Sequence, residues 1–150
     1  MKARIKWVQD VMFLGESGSG HSVVMDGAPD AGGRNLGFRP MEMLLLGLGG
    51  CSAFDVMLIL KRGREAVTDC VVEIDGERAT TDPKVFTKIQ LNYIVTGHHL
   101  DAKKVERAVH LSAEKYCSAS IMMGKTAELV HTITIVQANE SQPTATGATA

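Results

Sequence analysis

A long apolar run with a cysteine near its centre constrains the fold more than any other part of the chain. Residues Met43 to Leu60 carry a single charged side chain, Asp55, and Pro40 lies just before the run. Pro40 suits the first helical position, and Glu42 suits the positive end of a helix. The sequence therefore predicts a helix from Pro40 to about Lys61. Because this helix is apolar on nearly every side, the remainder of the fold must cover it.

The same run approaches the length of a membrane-spanning helix, which is roughly 17–25 residues. Small or polar residues interrupt it, namely Gly47, Gly49, Gly50, Ser52 and Asp55. The strand-like segments that follow also need a helix to cover one face. We therefore predict a buried core helix and no membrane association.

Composition limits the other classes of function. The chain has 150 residues and a net charge of −1, which gives no reason to expect nucleic acid as a partner. We predict one domain over residues 1–137 and a disordered polar tail over 138–150. The N-terminus lacks the apolar core of a signal peptide, so a cytoplasmic location is expected. No CxxC motif or Cys/His cluster is present, and we predict neither a metal nor a cofactor.

Alternating apolar residues predict strands on both sides of the apolar helix. The first 25 residues indicate a small antiparallel meander with glycine turns, followed by a long glycine-rich loop of the kind that is often functional or mobile. Two longer strands around residues 70–75 and 85–95 are predicted to form an antiparallel hairpin. A last strand is predicted from Leu129 to Val136.

A second helix is predicted to start after Asp101, a plausible N-cap. Its apolar side recurs at helical spacing and ends on a cysteine, through Val105, Ala108, Val109, Ser112, Ala113, Tyr116 and Cys117. The sequence therefore predicts that Cys117 points into the core from the end of this helix.

Cys51 and Cys117 thus lie on two stiff elements that meet only through the fold, which favours thiol chemistry. Peroxide reduction needs one thiolate that becomes a sulfenic acid and a second thiol that condenses with it. The alternative is that both cysteines simply fill core space, because free cysteine is among the most buried residue types. Asp55 lies one turn after Cys51 on the same face, where an ionised carboxylate opposes a thiolate. Cys70 is predicted to be structural.

Several other side chains carry weaker predictions. Phe54 and Leu58 follow Cys51 on nearby helical faces and are expected to shape an apolar site. The pair Met122–Met123 is predicted to fill core gaps. His110 is predicted to be solvated, and His131 to be packed within the last strand.

The segment Pro40 to Ala53, which contains Gly-Gly-Cys-Ser-Ala, together with the Tyr-Cys end of the second helix, resembles the OsmC/Ohr superfamily. Within it the chain is most similar to the YhfA-like branch of bacterial OsmC-like proteins. The resemblance covers about residues 1–137. It implies an α+β fold with two long central helices wrapped by antiparallel sheets. It also implies an intertwined homodimer with active sites at the subunit interface.

The resemblance further implies thiol-dependent reduction of organic hydroperoxides as an oxidative stress defence, with a dithiol as reductant. Cys51 matches the attacking cysteine, Cys117 the resolving one, and Glu42 the glutamate after the proline, although Glu42 stands one position late. The family pairs that glutamate with an arginine from the first hairpin, which offers Gln9 and Asp10 here; Arg34 and Arg39 are the substitutes.

The missing arginine leaves two other functions open. One is a non-catalytic protein on the same fold that binds a small apolar ligand. The other is a purely structural homodimer.

Overall fold

The computed structural model describes residues 1–138, which form two compact units, residues 1–47 and the chain from residue 48 onward. The predicted tail lies outside the described residues except for Ala138. The N–H of Ala138 donates to the carbonyl of Gly97 at 2.8 Å, so this residue extends the hydrogen bonding of the last strand. The prediction of a single domain over residues 1–137 stays a prediction.

The first unit contains the predicted antiparallel meander. Its strands are β1 (Ala3–Gln9), β2 (Met12–Ser17) and β3 (Ser22–Met25), in the order β1-β2-β3. A short 3₁₀ turn, Pro29–Ala31, follows within the glycine-rich loop. The predicted antiparallel meander is confirmed, but only the β2–β3 turn contains glycine, because the β1–β2 turn instead places Asp10 in the left-handed region with φ 45°.

A buried carboxylate organises the glycine-rich loop. Asp26 is 2% exposed and accepts hydrogen bonds from the N–H groups of Gly27, Arg34 and Leu36 at 2.8, 3.0 and 3.1 Å. The bond from Leu36 contributes most to lowering the pKa of Asp26. Gly33 lies so close to the backbone of Gly27 that no β-carbon would fit. The loop is therefore held by specific hydrogen bonds.

Helix α1 spans Pro40–Arg62, beginning in the first unit and ending in the second, as predicted. The second unit adds two long strands, β4 (Ala66–Arg78) and β5 (Phe86–His98). The remaining elements are α2 (Ala102–Leu111), α3 (Ser118–Met123) and β6 (Glu128–Gln137). The N-cap of α2 is Asp101, whose side chain accepts a hydrogen bond from the N–H of Lys103 at 2.9 Å, so that prediction is also confirmed.

The second sheet has the strand order β4-β5-β6 and is mixed. Strands β4 and β5 form the predicted antiparallel hairpin. The expectation of antiparallel sheets is wrong for β6, which runs parallel to β5 from the pair Lys88–Glu128 to the pair Gly97–Gln137. The reason is the connection: residues 99–127 are long enough for a helical crossover, which returns the chain in the same direction.

The second helical region is broken, so the expectation of two long helices is wrong. Only α1 is long, with 23 residues, whereas α2 has 10 and α3 has six. A π-helical turn, Ser112–Tyr116, separates α2 from α3. A wider turn shifts the helical phase. The predicted apolar side therefore holds as far as Ser112 but fails at Tyr116, whose side chain is 49% exposed.

The core of the second unit centres on the inward face of β5. Its fully buried side chains include Ile89, Leu91, Tyr93 and Val95 of β5, Val56 and Leu60 of α1, and Val105 and Val109 of α2. Gly49 of α1 faces the Ile74 side chain of β4 so closely that an added β-carbon would collide with it. The absence of a side chain at this one glycine allows α1 to approach the sheet.

Much of α1 remains uncovered in the single chain. By length and composition alone, α1 could cross a membrane, and only 28% of its most apolar stretch is buried. Phe54 is 66% exposed and Leu46 is 52% exposed. The helix also carries hydroxyl and carboxylate side chains, and placing such polar groups in lipid costs free energy. The expectation of a fully buried helix is therefore met on one face only.

Candidate functional site

The two cysteines singled out in the sequence meet in the second unit, together with one carboxylate. The sulfur atoms of Cys51 and Cys117 and a carboxylate oxygen of Asp55 all lie within 4.8 Å of one another. Cys51 and Asp55 are half-buried, whereas Cys117 is fully buried. We refer to Cys51, Asp55 and Cys117 as the thiol cluster.

Helix geometry positions two members of the thiol cluster, and a change of backbone conformation positions the third. Cys51 and Asp55 are four residues apart on α1, so they share one face. Cys117 follows the π turn in an extended conformation, with φ −72° and ψ 101°, and is the N-cap of α3. The prediction that it lies at the end of the second helical segment is confirmed, because it is the C-cap of the π turn, and so is the prediction that it points into the core. Its sulfur accepts a hydrogen bond from the N–H of Ser120 at 3.4 Å.

The environment of Cys117 favours its protonated form. Burial is the main cause that raises the pKa of the Cys117 thiol, and the neighbouring Cys51 raises it further. Ser120 acts in the opposite direction by hydrogen bonding to the sulfur. Within residues 1–138, no ion pair or hydrogen bond links Asp55 to a cation. The cluster therefore places a carboxylate without a described counter-charge beside two thiols.

A second group of buried polar side chains draws two of its three members from the same stretches of chain as the thiol cluster. The hydroxyl oxygen of Ser52 is 2.6 Å from that of Tyr93 and 3.0 Å from that of Ser112. The Ser112 hydroxyl also donates to the carbonyl of Ser52 at 3.2 Å. All three side chains are fully buried. We refer to Ser52, Tyr93 and Ser112 as the hydroxyl cluster, which the sequence analysis missed; a serine on the apolar side of the second helix was its only local sign.

Tyr93 and His131 stack on neighbouring strands. Their ring centroids are 6.0 Å apart with an interplanar angle of 24°. Burial raises the pKa of Tyr93 and lowers that of His131. Among the described residues, Nε2 of His131 and the hydroxyl of Ser120 are buried without a hydrogen-bond partner. His131 is packed and His110 is exposed, as predicted.

The predicted third catalytic residue, Glu42, forms local contacts at the start of α1. Its carboxylate accepts a hydrogen bond from the N–H of Arg39 at 2.9 Å and lies 3.8 Å from the guanidinium of the same residue. The other substitute for the family's arginine, Arg34, lies 3.4 Å from the carboxylate of Asp10. These described contacts assign Glu42 a helix-capping role, and its catalytic role stays a prediction.

The expectation that Phe54 and Leu58 shape an apolar site is confirmed. They line a groove of about 560 Å³ along α1, and its wall includes Cys70 and not Cys51. Burial, and then the nearby Asp69, raise the pKa of the Cys70 thiol. The prediction that Met122 fills the core is wrong, because its side chain is 70% exposed.

Comparison with known proteins gives this architecture a family. A model of the family described as OsmC-like protein matches residues 32–132. The chain belongs to the OsmC-like family. It is 49% identical over 141 residues to protein YhfA of Escherichia coli K12, covering 92% of this chain and 100% of YhfA.

Solved structures share the OsmC-like fold. A hypothetical protein from Aquifex aeolicus VF5 has a TM-score of 0.81 and 29% identity, covering 92% of this chain and 97% of that one. The organic hydroperoxide resistance protein OhrB of Bacillus subtilis has a TM-score of 0.61 and 18% identity, covering 88% and 96%. The latter shows a shared fold only.

Proposed function

We propose that this OsmC-like protein reduces organic hydroperoxides with the Cys51–Cys117 pair. The single observation that carries the proposal is the distance: two sulfur atoms from different elements lie within 4.8 Å of each other in a partly buried site. Formation of a disulfide bond from this separation requires only a modest movement, because bonded sulfurs are about 2.05 Å apart. The name of one neighbour on the same fold, an organic hydroperoxide resistance protein, agrees with this reaction.

The first step uses Cys51 as nucleophile. Its thiolate attacks the outer oxygen of the hydroperoxide, an S–O bond forms, and the O–O bond breaks. The leaving alkoxide takes a proton and departs as the alcohol. Cys51 suits this step because its side chain is half-buried and reachable, whereas Cys117 is fully buried.

The second step uses Cys117 as the resolving thiol. Its sulfur attacks the sulfenic sulfur of Cys51, the S–S bond forms, and hydroxide leaves and is protonated to water. A dithiol reductant then cleaves the disulfide by two thiol–disulfide exchanges, which regenerates both thiols. The raised pKa of Cys117 keeps it protonated during the first step, which supports this division of roles.

The test is the consumption of cumene hydroperoxide with a dithiol reductant by the full chain. We expect Cys51→Ser to remove all turnover above the uncatalysed rate, because the attacking sulfur is lost. Cys70→Ser is the matched control, since the third cysteine lies outside the thiol cluster, and it should retain wild-type turnover. Equal turnover by wild type and Cys51→Ser would rule out the proposal.

We include a homodimer and a cytoplasmic location in the proposal. Exposed apolar side chains support the dimer: Ile5 and Trp7 of β1 are 59% and 62% exposed, and Leu44 and Leu46 of α1 are 50% and 52% exposed. Exposed apolar side chains of this size would be covered in a dimer. Sedimentation of the purified chain tests it, and a monomer at micromolar concentration would contradict it.

A second candidate function is the binding of a small apolar ligand. The observation that favours it is the groove lined by Phe54, Met57, Leu58 and Cys70, since its volume is within the roughly 300–1,000 Å³ of ligand pockets. Titration with a fluorescent fatty acid tests it. Phe54→Ala should weaken binding, whereas a Cys51→Ser/Cys117→Ser double variant should bind normally; unchanged binding by Phe54→Ala would reject this function.

A further inference from the structure

The thiol cluster holds three groups that repel one another once they ionise. A thiolate at Cys51, a thiolate at Cys117 and the carboxylate of Asp55 each carry a negative charge, and all three lie within 4.8 Å of one another. Among residues 1–138, Asp55 has no ion pair or hydrogen bond that would hold its carboxylate for another purpose. A peroxidase that needs a thiolate gains nothing from an adjacent carboxylate. The role of Asp55 therefore needs another explanation.

We propose that the reduced thiol cluster is a binding site for a soft divalent metal ion, Zn²⁺ in particular, with Cys51, Cys117 and Asp55 as its three protein ligands. Two sulfurs and one carboxylate oxygen are donors that Zn²⁺ accepts, and three protein ligands leave a fourth tetrahedral position for water. The ion would neutralise most of the charge that otherwise makes the cluster unfavourable. The sequence contains no standard zinc spacing, and this site arises only from the fold.

The geometry fits such an ion with little movement. Zn–S bonds of about 2.3 Å at tetrahedral angles place two sulfurs roughly 3.8 Å apart. Because the three ligand atoms already lie within 4.8 Å of one another, closure needs a contraction of no more than about 1 Å. Cys51 and Asp55 are four residues apart on α1, the spacing that places two ligands of a helix on one metal ion.

One hydrogen-bond donor already faces the sulfur of Cys117. Its sulfur accepts a hydrogen bond from the N–H of Ser120 at 3.4 Å. Ser120 is 2% exposed, and its buried hydroxyl has no hydrogen-bond partner among residues 1–138. Donors in this position orient ligands and stabilise the charge on a coordinated sulfur. Binding replaces up to two thiol protons by one ion, so it should release protons to the buffer.

Metal binding and thiol oxidation then exclude each other. This second half rests on the proposed peroxidase function. A sulfur that coordinates Zn²⁺ donates electron density to the ion and is a weaker nucleophile, and a Cys51–Cys117 disulfide offers no thiolate to the ion. The state of the same two cysteines would then depend on the concentrations of both the metal ion and the peroxide.

The test is calorimetric titration of the reduced full chain with ZnCl₂, together with absorption spectra of the Co²⁺-loaded protein. We expect one ion per chain, proton release and thiolate-to-cobalt charge-transfer bands. Asp55→Asn should weaken binding by at least about tenfold, as the loss of one supporting group does elsewhere. Asp55→His should restore binding, because it supplies another ligand. Cys70→Ser is the control and should bind as the wild type.

The outcomes separate this proposal from the peroxidase function. Metal binding without peroxide consumption would leave the metal site standing and reject the enzyme. Peroxide consumption without a thiolate-to-cobalt band would reject the metal site alone. Asp55→Asn binding as tightly as the wild type, or Cys70→Ser losing the ion, would also overturn the proposed ligand set.

Discussion

The thiol cluster and the hydroxyl cluster are built from neighbouring residues and differ in how their polar groups are satisfied. Cys51 and Ser52 are adjacent on α1, and Ser112 begins the π turn that Cys117 follows. Each hydroxyl is both a donor and an acceptor, so the three hydroxyl groups satisfy one another within a closed set. Ionised thiols and a carboxylate are acceptors only. The hydroxyl cluster therefore completes the core, whereas the thiol cluster remains open to a reactant or an ion.

The largest expected effect separates the two clusters by activity. Ser52→Ala removes a buried hydroxyl next to the nucleophile but leaves all three members of the thiol cluster in place. We expect it to retain peroxide turnover within a few-fold of the wild type at a temperature where it is folded, whereas Cys51→Ser retains none. The measurement is steady-state consumption of cumene hydroperoxide. Loss of turnover by a fully folded Ser52→Ala would join the two clusters into one functional unit.

The next largest effect concerns stability, where we expect Ser52→Ala to be more damaging than Cys51→Ser. Ser52→Ala leaves the hydroxyl of Tyr93 buried without its partner, whereas the Ser112 hydroxyl keeps its bond to the carbonyl of residue 52, and the change should cost about 1–3 kcal/mol of unfolding free energy. Urea denaturation measures this free energy. The control is Cys51→Ser, a near-isosteric change at a half-buried residue, which we expect to cost less. The comparison fails if the two variants lose equal stability.

A double-mutant cycle sharpens the closed character of the hydroxyl cluster. Tyr93→Phe removes the partner of Ser52, so adding it to Ser52→Ala should cost less than the sum of the two single changes. The expected coupling is about 0.5–3 kcal/mol, the range found for groups in one hydrogen-bond network. Additive losses would show that the 2.6 Å contact contributes nothing on its own.

The pH dependence of disulfide formation is a further test. Burial raises the pKa of Cys117, so its thiolate fraction is small at neutral pH and grows on the alkaline side. The rate at which Cys117 resolves the Cys51 sulfenic acid should therefore still increase with pH at pH 9.0, which equals the ordinary pKa of a cysteine thiol. Stopped-flow oxidation by a single equivalent of peroxide measures this step. A plateau near pH 7 would place the Cys117 thiolate in a very different environment.

The smallest effect concerns the two glycines that precede Cys51. An added β-carbon at Gly50 meets nothing within 4 Å, whereas at Gly49 it collides with Ile74. Gly50→Ala should therefore raise the unfolding free energy by about 0.8–1 kcal/mol through helix propensity. In Gly49→Ala the collision should offset that gain. Thermal denaturation of the pair tests it, and equal stabilisation of both would show that Ile74 yields freely.

The sequence predicted the elements whose signals are local. Periodicity located α1, the meander, the β4–β5 hairpin and the N-cap at Asp101, because each depends on neighbouring residues. The parallel pairing of β6 and the break after α2 were missed. Strand direction depends on the path of a long connection, and a five-residue π turn leaves no mark in an apolar pattern that continues through Ser112 and Cys117.

The candidate site was predicted in part. The meeting of Cys51 and Cys117 rests on which elements carry them, and the structure brings them together. The hydroxyl cluster was not predicted, because Ser52, Tyr93 and Ser112 come from three elements and no spacing in the sequence connects them. Asp55 was recognised only as an obstacle to a thiolate. Its possible use emerges when all three ligand atoms are placed in space.

The number of residues in the π turn Ser112–Tyr116, more than the identity of their side chains, determines where Cys117 points. Removing one residue there would let α2 continue as an ordinary helix and swing the following cysteine by about 100° about the axis. An alignment column would still show an intact Cys117, yet its sulfur would no longer face Cys51. A one-codon deletion at residues 112–116 would therefore separate Cys51 from Cys117 while both cysteines are retained, and a relative that carries one would lack the proposed redox pair.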